Sequence, residues 1–157
     1  MKQLALAIGR VVSWLAWPAY QVYFRRGART RVLLVSGDEI LVLKGWINDG
    51  TYILPGGGLH TGEDPLIGAL RETHEETGLQ LQSGDLTPLG TDVYRKAGLH
   101  FTYYMFFAVA DKNDPLTRQW YEVADIRWVP LGDLAAYNPS QEVLSCLRSA
   151  RQQHLLQ

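Results

Sequence analysis

The sequence predicts one mixed α/β domain behind an apolar N-terminal extension, and three observations lead there. Several runs rich in β-branched and aromatic residues are punctuated by turns bearing glycine or proline. Two other stretches carry helix-start and helix-stop residues around a helical periodicity. No repeat or low-complexity linker divides the 157 residues, a length that suits one well-buried core. The boundaries are 1–26 for the extension and 27–157 for the domain.

The extension contains "LALAIGRVVSWLAWPAYQVYF", residues 4–24, followed by the basic "RRGARTR". Arg10 and Pro18 interrupt it, so no clean run reaches the roughly 18 apolar residues of a membrane span. Arg10 and the lack of an A-x-A cleavage site after the apolar run also argue against a signal peptide. The preferred reading is an apolar helix packed on the domain or on a partner subunit, which admits a homodimer. The alternative is a helix lying in a membrane interface, giving peripheral contact through residues 1–25. It would set Trp14, Trp17, Tyr20 and Tyr23 at the headgroups and the arginines on anionic lipid.

Two β-runs follow at about 30–36 and 39–45, joined by the hairpin signal Ser36-Gly37-Asp38. "TYILPGGG" reads as a short strand that breaks at Pro55 and a run of glycines. A helix is expected near 65–77, with Asp64 as N-cap, Pro65 at the first helical position and Gly78 as the stop. Further β-runs lie near 87–94, 101–110 and 123–129, and "HFTYYMFFAVA" is apolar enough for a central strand. "GDLAAYN" is a turn or short helical piece. "SQEVLSCLRSARQQHLL" closes the chain as a helix that Ser140 could cap.

Hydrophobic residues make up 46% and charged residues 20%, an ordinary balance for a soluble domain. Net charge is −1, so no global field attracts nucleic acid, and an anionic ligand must be met by local chemistry. Cys146 is the only cysteine. It cannot form an internal disulfide, and a reducing, cytoplasmic compartment is the simpler reading.

The chemistry concentrates in "GGGLHTGEDPLIGALRETHEETGL", residues 56–79. Glu72, Glu75 and Glu76 fall within a turn and a half of the expected helix, where like charges cost roughly 0.2–0.5 kcal/mol per pair. With Glu72 set at zero on a helical wheel, Glu76 falls at about 40° and Glu75 at about 300°, among Pro65, Gly68 and Ala69. Leu66, Ile67, Leu70, Thr73, His74 and Thr77 gather opposite, as a core-like face on which His74 would be packed or hydrogen-bonded. Small residues beside the carboxylates leave room for a cation, and the glycine run lets backbone approach it closely. A ligand set made only of oxygen selects a hard ion, Mg²⁺ or Mn²⁺, of the kind that binds substrate phosphates.

Gly57, five residues, Glu63, seven residues and then "RETHEETGL" from Arg71 to Leu79 resemble the Nudix box, G-x5-E-x7-R-E-U-x-E-E-x-G-U, where U is bulky and aliphatic. Every fixed letter matches, and Thr73 at the first U position is the one departure. The resemblance covers about residues 30–150 and implies an α/β/α sandwich with a mixed β-sheet. It implies divalent-metal-dependent cleavage of a nucleoside diphosphate linked to another group. Glu72, Glu75 and Glu76 would then be side-chain ligands of two or more ions, with the Gly56 carbonyl another ligand. Glu63 and Arg71 would brace the loop against the helix, and Gly78 would end it. Glu122, six residues before Trp128, would join the metal site or act as base, a role for which Glu75 also stands.

Substrate contacts are expected from Gly57 and Gly58. His60 after the glycine run, Trp46 as a base-stacking ring and Tyr94, sixteen residues past Gly78, are further candidates. The main expectation is a pyrophosphohydrolase of a nucleoside triphosphate or nucleotide sugar. RNA 5′ ends or dinucleoside polyphosphates, a lipid-linked diphosphate at a membrane surface, and a non-catalytic nucleotide sensor are the alternatives. The lack of a basic stripe weighs against RNA, and the complete set of glutamates weighs against a pure sensor.

Overall fold

Strand β1, Arg29–Ser36, is apolar on both faces after Arg31, and its central residues Val32, Leu33 and Leu34 are fully buried. A strand of that kind needs cover on both sides. The computed structural model, which describes residues 27–46, 50–96, 99–117 and 119–156, shows how the cover is supplied.

Strand β2, Glu39–Gly45, returns antiparallel to β1. Helix α1, Pro65–Thr77, comes next, then strands β3, Thr87–Lys96, β4, Leu99–Val109, and β5, Val123–Pro130. Helix α2, Gln141–Gln152, closes the fold. The sheet order is β3-β4-β1-β2-β5. The β1–β4 pair is parallel and the others are antiparallel, so the sheet is mixed.

Alternation along β1 sorts the core into two layers. Val32 and Leu34 face Ala69 of α1 together with Leu41, Phe106 and Ala108. Leu33 and Val35 face Val143, Cys146, Leu147 and Ala150 of α2. The result is the expected α/β/α sandwich. The N-terminal helix, residues 1–26, lies outside the described residues, as do its proposed membrane and dimer contacts. Among the described residues no helix is long and apolar enough to cross a membrane.

The strand expected in "TYILPGGG" proves to be a different device. β1 and β2 pair only near their hairpin, at Val35–Ile40 and Ser36–Glu39, and then splay apart. Residues 53–59 lie in the gap. Ile53 exchanges both backbone hydrogen bonds with Leu43, Val32 N–H donates to Pro55 O, and Thr30 N–H donates to Gly57 O. Pro55 lacks an N–H but needs only its carbonyl here. The segment makes isolated bridges instead of a regular strand.

Helix α1 begins and ends where its sequence says. The Asp64 side chain accepts from Leu66 N–H, Pro65 occupies the first turn, and Gly78 is left-handed at φ 79°. Its faces differ from the wheel. Ile67 is 51% exposed and His74 is exposed, so His74 is not a core histidine. Thr73 and Thr77 are buried as the wheel has them, but Gly68, Ala69 and Glu76 from the carboxylate sector are buried too. The helix packs against both the sheet and the glycine turn, so the carboxylate face lies beside the core face and Glu76 belongs to both. Ser140 precedes α2 as expected, yet its side chain makes no capping hydrogen bond.

Thr73 carries the cost of its departure from an aliphatic residue. It is fully buried, and its hydroxyl finds no hydrogen-bond partner. Thr73→Val keeps the shape and removes the stranded hydroxyl, so it is expected to stabilise the fold by about 1 kcal/mol. The thermal midpoint should rise by about 2–4 °C; a lower midpoint would mean that the hydroxyl is satisfied in solution.

Candidate active site

The site grows from the turn that fills the split sheet. Gly56 has φ 132°, and a Cβ there would lie 2.2 Å from the backbone oxygen of Thr30. Only glycine follows that path. The Gly56 N–H donates to Glu76 Oε2 at 2.8 Å, tying the turn to α1. At Gly57 a Cβ would lie 2.3 Å from Glu72 Oε2, so the missing side chain is the space that the Glu72 carboxylate fills.

Arg71 organises the rest. Its Nε and Nη2 donate to the two carboxylate oxygens of Glu63, at 2.9 and 3.0 Å, and Nη2 also reaches the Gly58 carbonyl at 3.1 Å. Nη1 contacts Glu72 at 2.8 Å and Glu75 at 3.3 Å. Glu63 further accepts from His60 N–H at 2.8 Å, so the loop and helix are braced at both ends. The fork from Arg71 holds Glu63 down at a pKa of about 2, and Glu63 in turn raises that of Arg71.

The carboxylates of Glu76 and Glu72 behave oppositely. Burial pushes Glu76 up to about 8, against the Gly56 N–H and the charge of Arg31, while Glu72 and Glu122 push it further up. Burial likewise raises Glu72, with Arg71 opposing. Glu122 is exposed on the approach to β5, yet near enough for its charge to be felt at Glu76. Glu75 is half-exposed and turned to Arg71.

Among the described residues no three acidic, histidine or cysteine side chains converge closely enough to hold an ion as they stand, because Arg71 draws Glu72 and Glu75 toward itself. The donor set nevertheless fits a hard dication. It is all oxygen, it has a cradle that a Cβ would fill, and it contains a buried carboxylate short of positive charge.

That shortage sets a pH dependence. An unfolded Glu76 ionises near 4.5, the ordinary glutamate value, so between there and about 8 the folded, cation-free chain keeps a proton that the unfolded chain has lost. The stability Glu76 contributes is complete below the lower value and is lost as pH rises toward the upper one. The urea midpoint of chelator-treated protein should therefore fall from about pH 5 to about pH 8 more steeply than that of Glu76→Gln. Equal slopes would place Glu76 in water.

The sequence pattern that defines the NUDIX domain matches residues 24–146. The chain belongs to the Nudix family. Among its Nudix relatives, the hydrolase YvcI of Bacillus subtilis is 29% identical over 116 residues, covering 65% of this chain and 70% of that one. Diphosphoinositol polyphosphate phosphohydrolase 2 of Mus musculus is 29% identical over 118 residues, and the match covers 67% of this chain and 64% of that protein. The match thus spans less than two thirds of that relative's length. The Nudix fold is also seen in a binary complex of a C. elegans Ap4A hydrolase. That structure has a TM-score of 0.67 at 22% identity, covering 82% of this chain and 98% of the other.

The remaining candidates of this Nudix chain are more scattered. Trp46 is 54% exposed, its Nε1 donates to Trp120 O at 2.9 Å, and its N–H approaches Glu122 O at 3.4 Å. Trp120 and Tyr121, also exposed, stand edge to face beside it. The His60 side chain is 74% exposed. Tyr94 lies on β3, its ring stacked on Phe101 against the core under α2.

Two residues were missed by the sequence reading. Arg31 and Glu142 form a buried ion pair, Nε to Oε1 at 2.8 Å, next to the Gly56 carbonyl. Arg31 shares the inward face of β1 with Leu33 and Val35, and Glu142 shares a face of α2 with Cys146 and Ala150. A charge at an inward position in two separate elements was the available signal.

Proposed function

We propose that this Nudix chain hydrolyses a phosphoanhydride bond in a small substrate by directing water onto phosphorus, with Mg²⁺ or Mn²⁺ as cofactor. The observation that carries this reading is the gathering of Glu72 and Glu76 against the Gly56–Gly57 turn, with Arg71 and Glu63 locking the geometry. Glu72, Glu75, Glu76, Glu122 and the Gly56 carbonyl would hold the ions. When bound, such ions supply charge neutralisation at the diphosphate and a lowered pKa for the attacking water. The chain's own work is to preorganise oxygen donors and to take a proton. Glu122 and Glu75 are the two candidates for that base, being the least buried of the acidic set. The working domain is residues 27–157, with 1–26 as an extension.

For the substrate we favour a nucleoside triphosphate or nucleotide sugar. The aromatic shelf of Trp46, Trp120 and Tyr121 beside Glu122 supports a base-bearing ligand, since stacking on such rings is worth roughly 1–3 kcal/mol per base. One relative's name points to diphosphoinositol polyphosphates and a structural neighbour's to Ap4A. A densely charged inositol polyphosphate calls for many cations, which the net charge of −1 does not favour. A screen that separates substrate from products by ion-exchange chromatography, with no coupling enzyme, decides. It compares nucleoside triphosphates, nucleotide sugars, Ap4A and diphosphoinositol polyphosphates, each with Mg²⁺ and with EDTA. Cleavage that survives EDTA, or none of any substrate, would overturn the reading.

A further inference from the structure

We infer that Arg31 and Glu142 are positioning residues for the Gly56 carbonyl, clamping the glycine turn in the form from which it and Glu76 meet a divalent cation. The inference rests on the metal-dependent reading above. Arg31 and Glu142 each expose only 4% of their side chains. From this buried position Arg31 Nη1 donates to the Gly56 carbonyl and also to Thr30 O at 2.9 Å. The Gly56 N–H is meanwhile held by Glu76. Gly56 is thus gripped on both sides by side chains, Glu76 from α1 and Arg31 from β1, with Glu142 of α2 holding the guanidinium in place. A carbonyl has two lone pairs, so a donor on one leaves the other for a cation.

Stability alone is a poor explanation for the pair. Taking two charges out of water costs about as much as their attraction returns, and well-packed apolar residues often serve as well or better. Glu142 alone could be accounted for by its place in the first turn of α2, where the helix dipole favours a carboxylate. That account leaves the reach of Arg31 to the metal-site carbonyl unexplained. A planar guanidinium can hold a carboxylate through one nitrogen and a carbonyl through another at fixed separation, which an ammonium cannot do.

The decisive variant is the double substitution Arg31→Met with Glu142→Leu in the full-length chain. It removes one positive and one negative charge, so the net charge of the chain is unchanged. Losing the Arg31 charge that is felt at Glu72 and Glu76 would by itself favour a dication there, so a fall in affinity reports the lost clamp. It also avoids leaving a lone buried charge, the hazard of either single change. Mn²⁺ binding is measured by calorimetry without substrate, alongside thermal melting. We expect the thermal midpoint to be kept or raised and Mn²⁺ affinity to fall by about tenfold or more. Arg31→Lys with Glu142 intact should also weaken Mn²⁺ binding, because the charge survives and the fork does not. Mn²⁺ affinity within about twofold of the parent in the folded double variant would make the pair merely structural and overturn the inference. A parent chain that takes up no Mn²⁺ would overturn the metal reading itself, and this inference with it.

Discussion

Glu76→Gln should leave the chain folded and lower metal-dependent turnover roughly a hundredfold or more. Glutamine matches glutamate in size and keeps an oxygen that can accept the Gly56 N–H, so the turn need not move. What disappears is the charge, and the charge is the costly part. Burial already pushes this carboxyl up to about 8, a sign that the fold tolerates its anion only under protest. Removing the anion should therefore hold or raise the thermal midpoint while activity falls. That opposite movement is the signature of a group retained for chemistry. Near-normal kcat in the folded variant at saturating Mg²⁺ would remove Glu76 from the ligand set.

The second large effect separates two adjacent glycines. Gly56→Ala should destabilise the fold by about 3 kcal/mol or more. The new Cβ would sit 2.2 Å from the Thr30 oxygen and 2.8 Å from its carbonyl carbon, at a φ of 132°. Those neighbours are strand backbone and cannot yield. The melting temperature should drop by about 6–12 °C. At Gly57→Ala the atoms nearest the new Cβ are the carboxylate end of the Glu72 side chain, at 2.3 Å, which can swing aside, and no left-handed backbone is involved. It should melt close to the parent and lose turnover by about tenfold or more, because the displaced carboxylate belongs to the proposed site. Equal melting of the two variants would mean that the turn follows a different path in solution.

Much of this architecture was legible in the residues. The limits of α1 were, because Asp64, Pro65 and Gly78 each impose a local conformation that needs no tertiary help. The strands were, because their apolar runs are bounded by turn chemistry. The box placed the acidic side chains on α1 by spacing alone. The surroundings of that helix were not legible. A wheel assumes one dry stripe, whereas α1 packs against a sheet and a turn at once, so His74 and Ile67 face outward and Glu76 inward. The short strand expected around Ile53 failed for a related reason. Its pairing depends on how far β1 and β2 splay, a property of three segments together. Arg31 and Glu142, separated by 111 positions, meet only once the sheet and α2 have packed.

The segment lodged between β1 and β2 offers a way to read the health of the site with no substrate present. The amide protons of Thr30 and Val32 bond to Gly57 and Pro55, so they can trade with deuterium only when that segment lifts out of its slot. Their exchange rates would clock how long the glycine loop stays seated, and any substitution that leaves them slow has spared the scaffold.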